Sequence, residues 1–156
     1  MEGRYYQYTA IDEYTRKRVL WASKEVSTLA STEFIKVMVK KFPFKIECIQ
    51  TDNGTEFTNR FNPQRTRNKT MFEKRLEEMG IRHKLIKPKT PRHNGKVERQ
   101  HRIDEERFYK HMRMYSLEDG RKQLRVYQRK SNNYIKTCLG MKSPNTIVRN
   151  YQGVMF

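Results

Sequence analysis

The stretch from residue 46 to residue 86 constrains the fold most. Residues 46–51 (IECIQT) form a short, largely apolar run that reads as a strand, open to burial on both faces. Thr70 then opens a capping box with Glu73, and the helix behind it places Phe72, Leu76 and Met79 on one face. Gly80 stands where a left-handed C-cap belongs, and residues 81–86 (IRHKLI) read as the next strand. A strand, a capped helix and a second strand in this order ask for an α/β domain.

The flanking segments extend that frame. Residues 5–11 (YYQYTAI) read as a strand rich in Tyr and Thr; a turn begins at Asp12, and residues 18–22 (RVLWA) are the hairpin partner. Ser27 or Thr28 caps a helix whose Phe34, Val37, Met38 and Phe42 recur at helical spacing, with Pro43 ending it. Residues 58–70 are polar, basic and unpatterned, a loop inserted before a helix. Beyond Pro88 and Pro91 a long polar helical pattern covers 95–114; Ser116 with Asp119 caps another helix, and Ser143-Pro144 starts a last one. The order is β-β-α-β-α-β-α-α, one domain over residues 1–156 with a mixed sheet and no internal repeat.

Charge narrows the function classes. Lys and Arg total 34 against 17 Asp and Glu, a formal net charge of +17. The excess is uneven: residues 60–113 hold 17 Lys and Arg against 7 Asp and Glu. A solvated surface is one account of such a run; a polyanionic partner is the other, and the lopsidedness favours the second. No apolar run approaches the roughly 20 residues a bilayer span requires. The opening MEGRYYQYTA has no apolar signal core, so no membrane partner is expected. Two cysteines 90 residues apart make neither a disulfide scaffold nor a zinc set, which points to a reducing, cytoplasmic compartment.

Two carboxylates carry the candidate chemistry. Asp52 follows the apolar strand in Thr51-Asp52-Asn53-Gly54, and ligands of open α/β sheets gather at such strand ends. Asp-Asn-Gly is also ordinary turn chemistry. Glu98 lies in Asn94-Gly95-Lys96-Val97-Glu98-Arg99 at the start of the long helix, where N–H groups and the dipole favour anions. A first-turn Glu also simply stabilises a helix. Together, two carboxylates on different elements of a basic domain suit divalent metal ions held by oxygen ligands. Asp12 is either a third such carboxylate or a hairpin turn residue. His83, His93, His101 and His111 match no zinc spacing and read as DNA contacts or plain surface, and Cys48 reads as a small core residue.

At Thr51-Asp52-Asn53-Gly54-Thr55-Glu56-Phe57 and Pro91-Arg92-His93-Asn94-Gly95-Lys96-Val97-Glu98-Arg99 the chain resembles the catalytic core of the DDE-type insertion-sequence transposases, with retroviral integrases as more distant relatives. The likeness runs from about Tyr5 to Tyr151 and includes Gly80-Ile81-Arg82-His83-Lys84 and Lys142-Ser143-Pro144. It implies a ribonuclease-H-like fold, a mixed sheet with helices on both faces, and a metal-dependent polynucleotidyl transferase that moves or integrates DNA. It further implies two Mg²⁺ or Mn²⁺ ions, DNA partners (transposon ends and target), a homo-oligomer on that DNA, and a prokaryotic cytoplasm or nucleoid.

Carried onto this chain, the catalytic and metal-holding residues are Asp52 and Glu98. Lys87, Lys89, Arg92, His93, Asn94, Lys96 and Arg99 are the expected DNA contacts. The family's first catalytic Asp lies on a first, central strand, whereas residues 5–12 match its second strand. The resemblance therefore implies that Asp12 is not the catalytic Asp, and that the first strand and its carboxylate lie upstream of residue 1. Without that strand the sheet could close by pairing residues 5–11 with 46–51, a second chain could supply the strand, or the fold could suffer. A non-catalytic nucleic-acid-binding remnant is the second reading, and a different nuclease of the same fold the third.

Overall fold

The computed structural model describes residues 4–62, 68–87 and 95–154. In β1 (Tyr6–Ile11) and β2 (Arg18–Ser23) aromatic and β-branched residues alternate between two faces, and the strands pair antiparallel with Tyr8 opposite Trp21. Asp12 closes the turn between them. Its Oδ2 accepts from the Thr15 backbone N–H at 2.8 Å and from the Thr15 hydroxyl at 2.7 Å. Helix α1 (Thr28–Lys41) starts at Ser27, whose hydroxyl oxygen accepts from the Ala30 N–H at 3.1 Å, and ends at Phe42 before Pro43.

Strands β3 (Cys48–Thr51) and β4 (Arg82–Leu85) pair parallel, joined across α2 (Met71–Glu78). The capping box at Thr70 is complete: the Glu73 N–H donates to Thr70 Oγ1 at 3.1 Å, and the Thr70 N–H donates to the Glu73 carboxylate at 2.8 Å. Gly80 follows at φ 66°, a conformation that suits glycine and lets α2 turn sharply into β4. Helices α3 (Gly95–Arg107), α4 (Leu117–Ser131) and α5 (Pro144–Val154) complete the chain. The Ser116 hydroxyl caps α4 by accepting from the Asp119 N–H at 3.1 Å.

Two apolar clusters lie on opposite sides of the β1–β2 hairpin. One joins Tyr8 and Val19 to Phe34, Ile35 and Met38 of α1 and to Phe72, Leu76 and Ile81 around α2. The other joins Leu20 and Ala22 to Leu124 and Tyr127 of α4. Alternation along β2 sends Val19 to one side and Leu20 to the other, and both are fully buried. Burying a side chain of this size contributes about 1.5–3 kcal/mol.

The expected mixed sheet is present as two separate pieces. Strand β1 pairs with β2 and β3 pairs with β4, but no ladder joins β1 to β3 among the described residues. Direct closure of the hairpin onto β3 is therefore not adopted. Both pieces rest on α1 and α2 through one apolar cluster, so side-chain packing rather than a backbone ladder holds them together. A second correction concerns the long helix expected over 95–114. It ends at Arg107 and gives way to a 3-10 turn over Tyr109–His111. The Phe108 ring stacks on Tyr127 with centroids 4.6 Å apart, and that packing draws the chain off the helix axis. Among the described residues no helix is long and apolar enough to cross a membrane.

Candidate active site

The Thr51–Phe57 segment is fixed at several points around Asp52. The Ile86 N–H donates to Thr51 O at 3.0 Å, and Asn53 Nδ2 donates to Ile86 O at 3.0 Å, tying the turn to the end of β4. The Gly54 N–H donates to Asp52 Oδ1 at 3.0 Å, a local Asx turn. A Cβ added at Gly54 would lie 2.6 Å from Glu56 Oε2, a contact that a shift of the flexible Glu56 side chain relieves. Farther along, the Ser31 hydroxyl donates to Glu56 O at 2.8 Å, and the Thr70 hydroxyl donates to Phe57 O at 2.9 Å. The sequence D-N-G is thus a turn and a rigid mount at once. Asp52 itself is exposed, and its Oδ2 carries no hydrogen bond from any described residue.

His83 belongs to this mount rather than to plain surface. Half-buried on β4, it shares a 2.8 Å hydrogen bond with Thr51 Oγ1 and meets Phe72 edge-on at 5.3 Å. Burial pushes its imidazole below the ordinary histidine value, with the Glu73 charge pulling the other way. Cys48 is half-buried on β3, and His101 and His111 are exposed.

Glu98 is exposed in the first turn of α3. Asp12 is not placed as a free ligand: both Thr15 donors share its Oδ2, the role of a hairpin turn residue. Of the expected DNA contacts, Lys87 is exposed just past β4, and Arg99 is exposed beside Glu98. Lys89, Arg92, His93 and Asn94 lie outside the described residues, as does the side chain of Lys96.

Two exposed carboxylates are hard oxygen donors of the kind that hold Mg²⁺ or Mn²⁺. Such sites commonly use one or two carboxylates and leave the rest to water and phosphate oxygens. Asp52 and Glu98 fit that donor chemistry. Among the described residues no group of three or more His, Cys, Asp or Glu side chains comes together to hold a metal.

A buried polar network under α3 was invisible in the sequence. Arg18 Nη1 donates to both oxygens of Asp104 at 2.7 and 2.8 Å, and each side chain is 1% exposed. Arg18 Nε donates to Ser131 Oγ at 2.6 Å, and the guanidinium lies 5.2 Å from the centroid of the Tyr127 ring. The Tyr127 hydroxyl donates to Asp104 Oδ1 at 2.8 Å; burial and this bond push its pKa up to about 12. Gln7 and Gln100 also donate to Asp104, at 3.1 and 3.4 Å. In the sequence Asp104 sits within a run of charges and reads as one more solvated residue.

Known proteins resemble this chain along both of its halves. Residues 1–91 match a family model described as an integrase core domain, and residues 79–144 match a second model of the same description. A putative integrase of Spiroplasma virus SpV1-C74 is 33% identical over 107 residues, covering 65% of this chain and 30% of that protein. A retrovirus-related Pol polyprotein from the Nicotiana tabacum transposon TNT 1-94 is 31% identical over 121 residues, covering 75% of this chain and 8% of that protein. The chain thus spans less than a third of these relatives. Among solved structures, the catalytic core domain of BIV integrase superposes with a TM-score of 0.67 at 18% identity, covering 96% of this chain and 88% of that one. A simian T-cell lymphotropic virus intasome gives 0.68 at 20% identity, covering 90% and 46%. These two likenesses carry the ribonuclease-H-like fold.

Proposed function

The chain belongs to the integrase core-domain family, and from that premise we propose that it is the catalytic domain of a DNA transposition or integration enzyme. The observation that carries this reading is Asp52, exposed at the end of a parallel strand pair on a turn fixed from β4 and backed by α1 and α2. Asp52 and Glu98 are the residues that would hold Mg²⁺ or Mn²⁺. When bound, paired ions of this kind stabilise the attacking and leaving oxygens of a phosphoryl transfer. The chain's own contribution is to hold two carboxylates on separate elements and to bind the DNA backbone beside them. Lys87, Lys89, Arg92, His93, Asn94, Lys96 and Arg99 are the contacts we assign to that backbone, with a homo-oligomer bridging transposon ends and target.

The division of the sheet supports one further element of this reading. A strand seated between β1 and β3 would join the two pieces and supply a third carboxylate. A non-catalytic DNA-binding remnant is the competing reading, favoured by the two-carboxylate set and by the engagement of Asp12 in its turn.

Strand transfer of labelled DNA ends with Mg²⁺ or Mn²⁺ separates the two. Residues 1–156 alone should join little or no DNA, and a chain carrying the additional strand should join it, with Asp52→Asn and Glu98→Gln abolishing the reaction. Joining by residues 1–156 that is lost on Asp12→Asn would overturn the strand assignment. No joining by any completed chain would leave the remnant reading.

A further inference from the structure

Helix α3 carries Glu98, and its described side chains offer little apolar attachment. Among its described side chains Asp104 alone is buried; Gln100 and Ile103 are half-buried and the others face solvent. Apolar packing is non-directional, whereas charge-assisted hydrogen bonds from one guanidinium nitrogen to both oxygens of a buried carboxylate hold that carboxylate in place. We infer that Asp104 is the positioning residue of the candidate active-site helix: clamped by Arg18 of β2, it sets the rotation and height at which α3 presents Glu98.

The geometry of the helix gives the clamp its leverage. Asp104 and Glu98 are six residues apart, about 9 Å of rise and about 600° of rotation. They therefore lie on different sides of α3, and seating Asp104 inward turns Glu98 outward. The clamp is braced from three elements. Ser131 and Tyr127 of α4 hold Arg18 and Asp104, Gln7 of β1 reaches Asp104, and the Tyr109 hydroxyl donates to Gln7 Oε1. Rotating α3 would break the bonds to Asp104 together. The Asn132 side chain adds a brace on the backbone of Arg18, accepting from its N–H and donating to its carbonyl, both at 2.9 Å.

The inference rests on the assignment of Glu98 as a metal ligand, and Mn²⁺ binding to residues 1–156 tests both without requiring strand transfer. Mn²⁺ is titrated while paramagnetic broadening of the Asp52 and Glu98 amide signals is followed. In the wild type both signals should broaden together at one apparent Kd. The variant Arg18→Met with Asp104→Leu replaces the clamp by apolar side chains, a change that buried ion pairs commonly tolerate. With Tm and near-UV dichroism retained, it should lose broadening at Glu98, keep it at Asp52 and bind Mn²⁺ at least about tenfold more weakly. Tyr127→Phe keeps the ring and removes only one bond to Asp104; it should weaken Mn²⁺ binding about threefold.

Wild-type broadening at Asp52 alone would overturn the ligand assignment, and the positioning role with it. Joint broadening of both signals in the wild type and in the folded double variant would overturn the positioning role and leave the ligand assignment standing. If the double variant does not fold, unchanged Mn²⁺ affinity in Tyr127→Phe overturns the positioning role.

Discussion

Asp52 stands at the end of β3, above an apolar cluster containing Phe72, with its turn bonded to β4 and the segment that follows bonded to α1 and to Thr70. Glu98 stands on α3, whose one buried described side chain is itself a carboxylate. The first mount is made of several separate hydrogen bonds over many apolar contacts. The second gathers its described support around one carboxylate, paired with an arginine 86 residues away in sequence. Removing one contact from the first mount weakens it; removing one from the second leaves an opposite charge buried without its partner. The two carboxylates assigned to the proposed site should therefore differ in their tolerance of substitution.

The largest effect should come from halving the ion pair. Asp104→Leu leaves the Arg18 guanidinium buried and unpaired and should cost about 3–5 kcal/mol in chemical denaturation. Adding Arg18→Met should restore most of that loss. A single variant as stable as the wild type would mean that the pair does not anchor α3.

On the Asp52 side, Leu76→Ala empties a fully buried position under the strand pair and should cost about 2–4 kcal/mol. The same denaturation series reads it. Its effect should be a graded loss of stability, with no recovery from any second-site charge change.

Thr70→Ala removes the cap of α2 and a bond to Phe57 O, and should cost about 1 kcal/mol. The smallest effect is a pH dependence. Because burial lowers the folded-state pKa of His83 below its unfolded value, the unfolded chain binds more protons in that window. The contribution of neutral His83 is complete above about pH 6.5 and declines as pH falls toward the depressed value. Denaturation midpoints taken from pH 7.5 down to pH 5 should show this slope, and His83→Gln should flatten it. An unchanged slope would detach His83 from the Asp52 mount.

What could be read from the sequence was local. Ser27, Thr70, Glu73, Gly80 and Ser116 act within a few residues of themselves, so the cap signals mark where α1, α2 and α4 begin or end. Asp52 could be found because turn chemistry at the end of an apolar strand is a short-range pattern. Arg18 and Asp104 could not. Asp104 sits among charged neighbours in sequence and Arg18 heads an apolar strand, and nothing local says that β2 and α3 bury them against each other. The packing of His83 is hidden for the same reason, since its partners Thr51 and Phe72 lie on other elements. The end of α3 was hidden because Phe108 leaves the helix to meet Tyr127, which lies 19 positions later.

Strand β2 is a wall common to two rooms, with Val19 facing the α1 cluster and Leu20 facing the α4 cluster. Neither side can open without wetting one face of that strand, so the halves of the chain are not independent folding units. Backbone amides of β2 should exchange with solvent near the rate of global unfolding, while those of exposed α3 exchange through local opening. A chain divided between β4 and α3 should yield two fragments that refold only together, each needing the other to cover its side of the same six-residue strand.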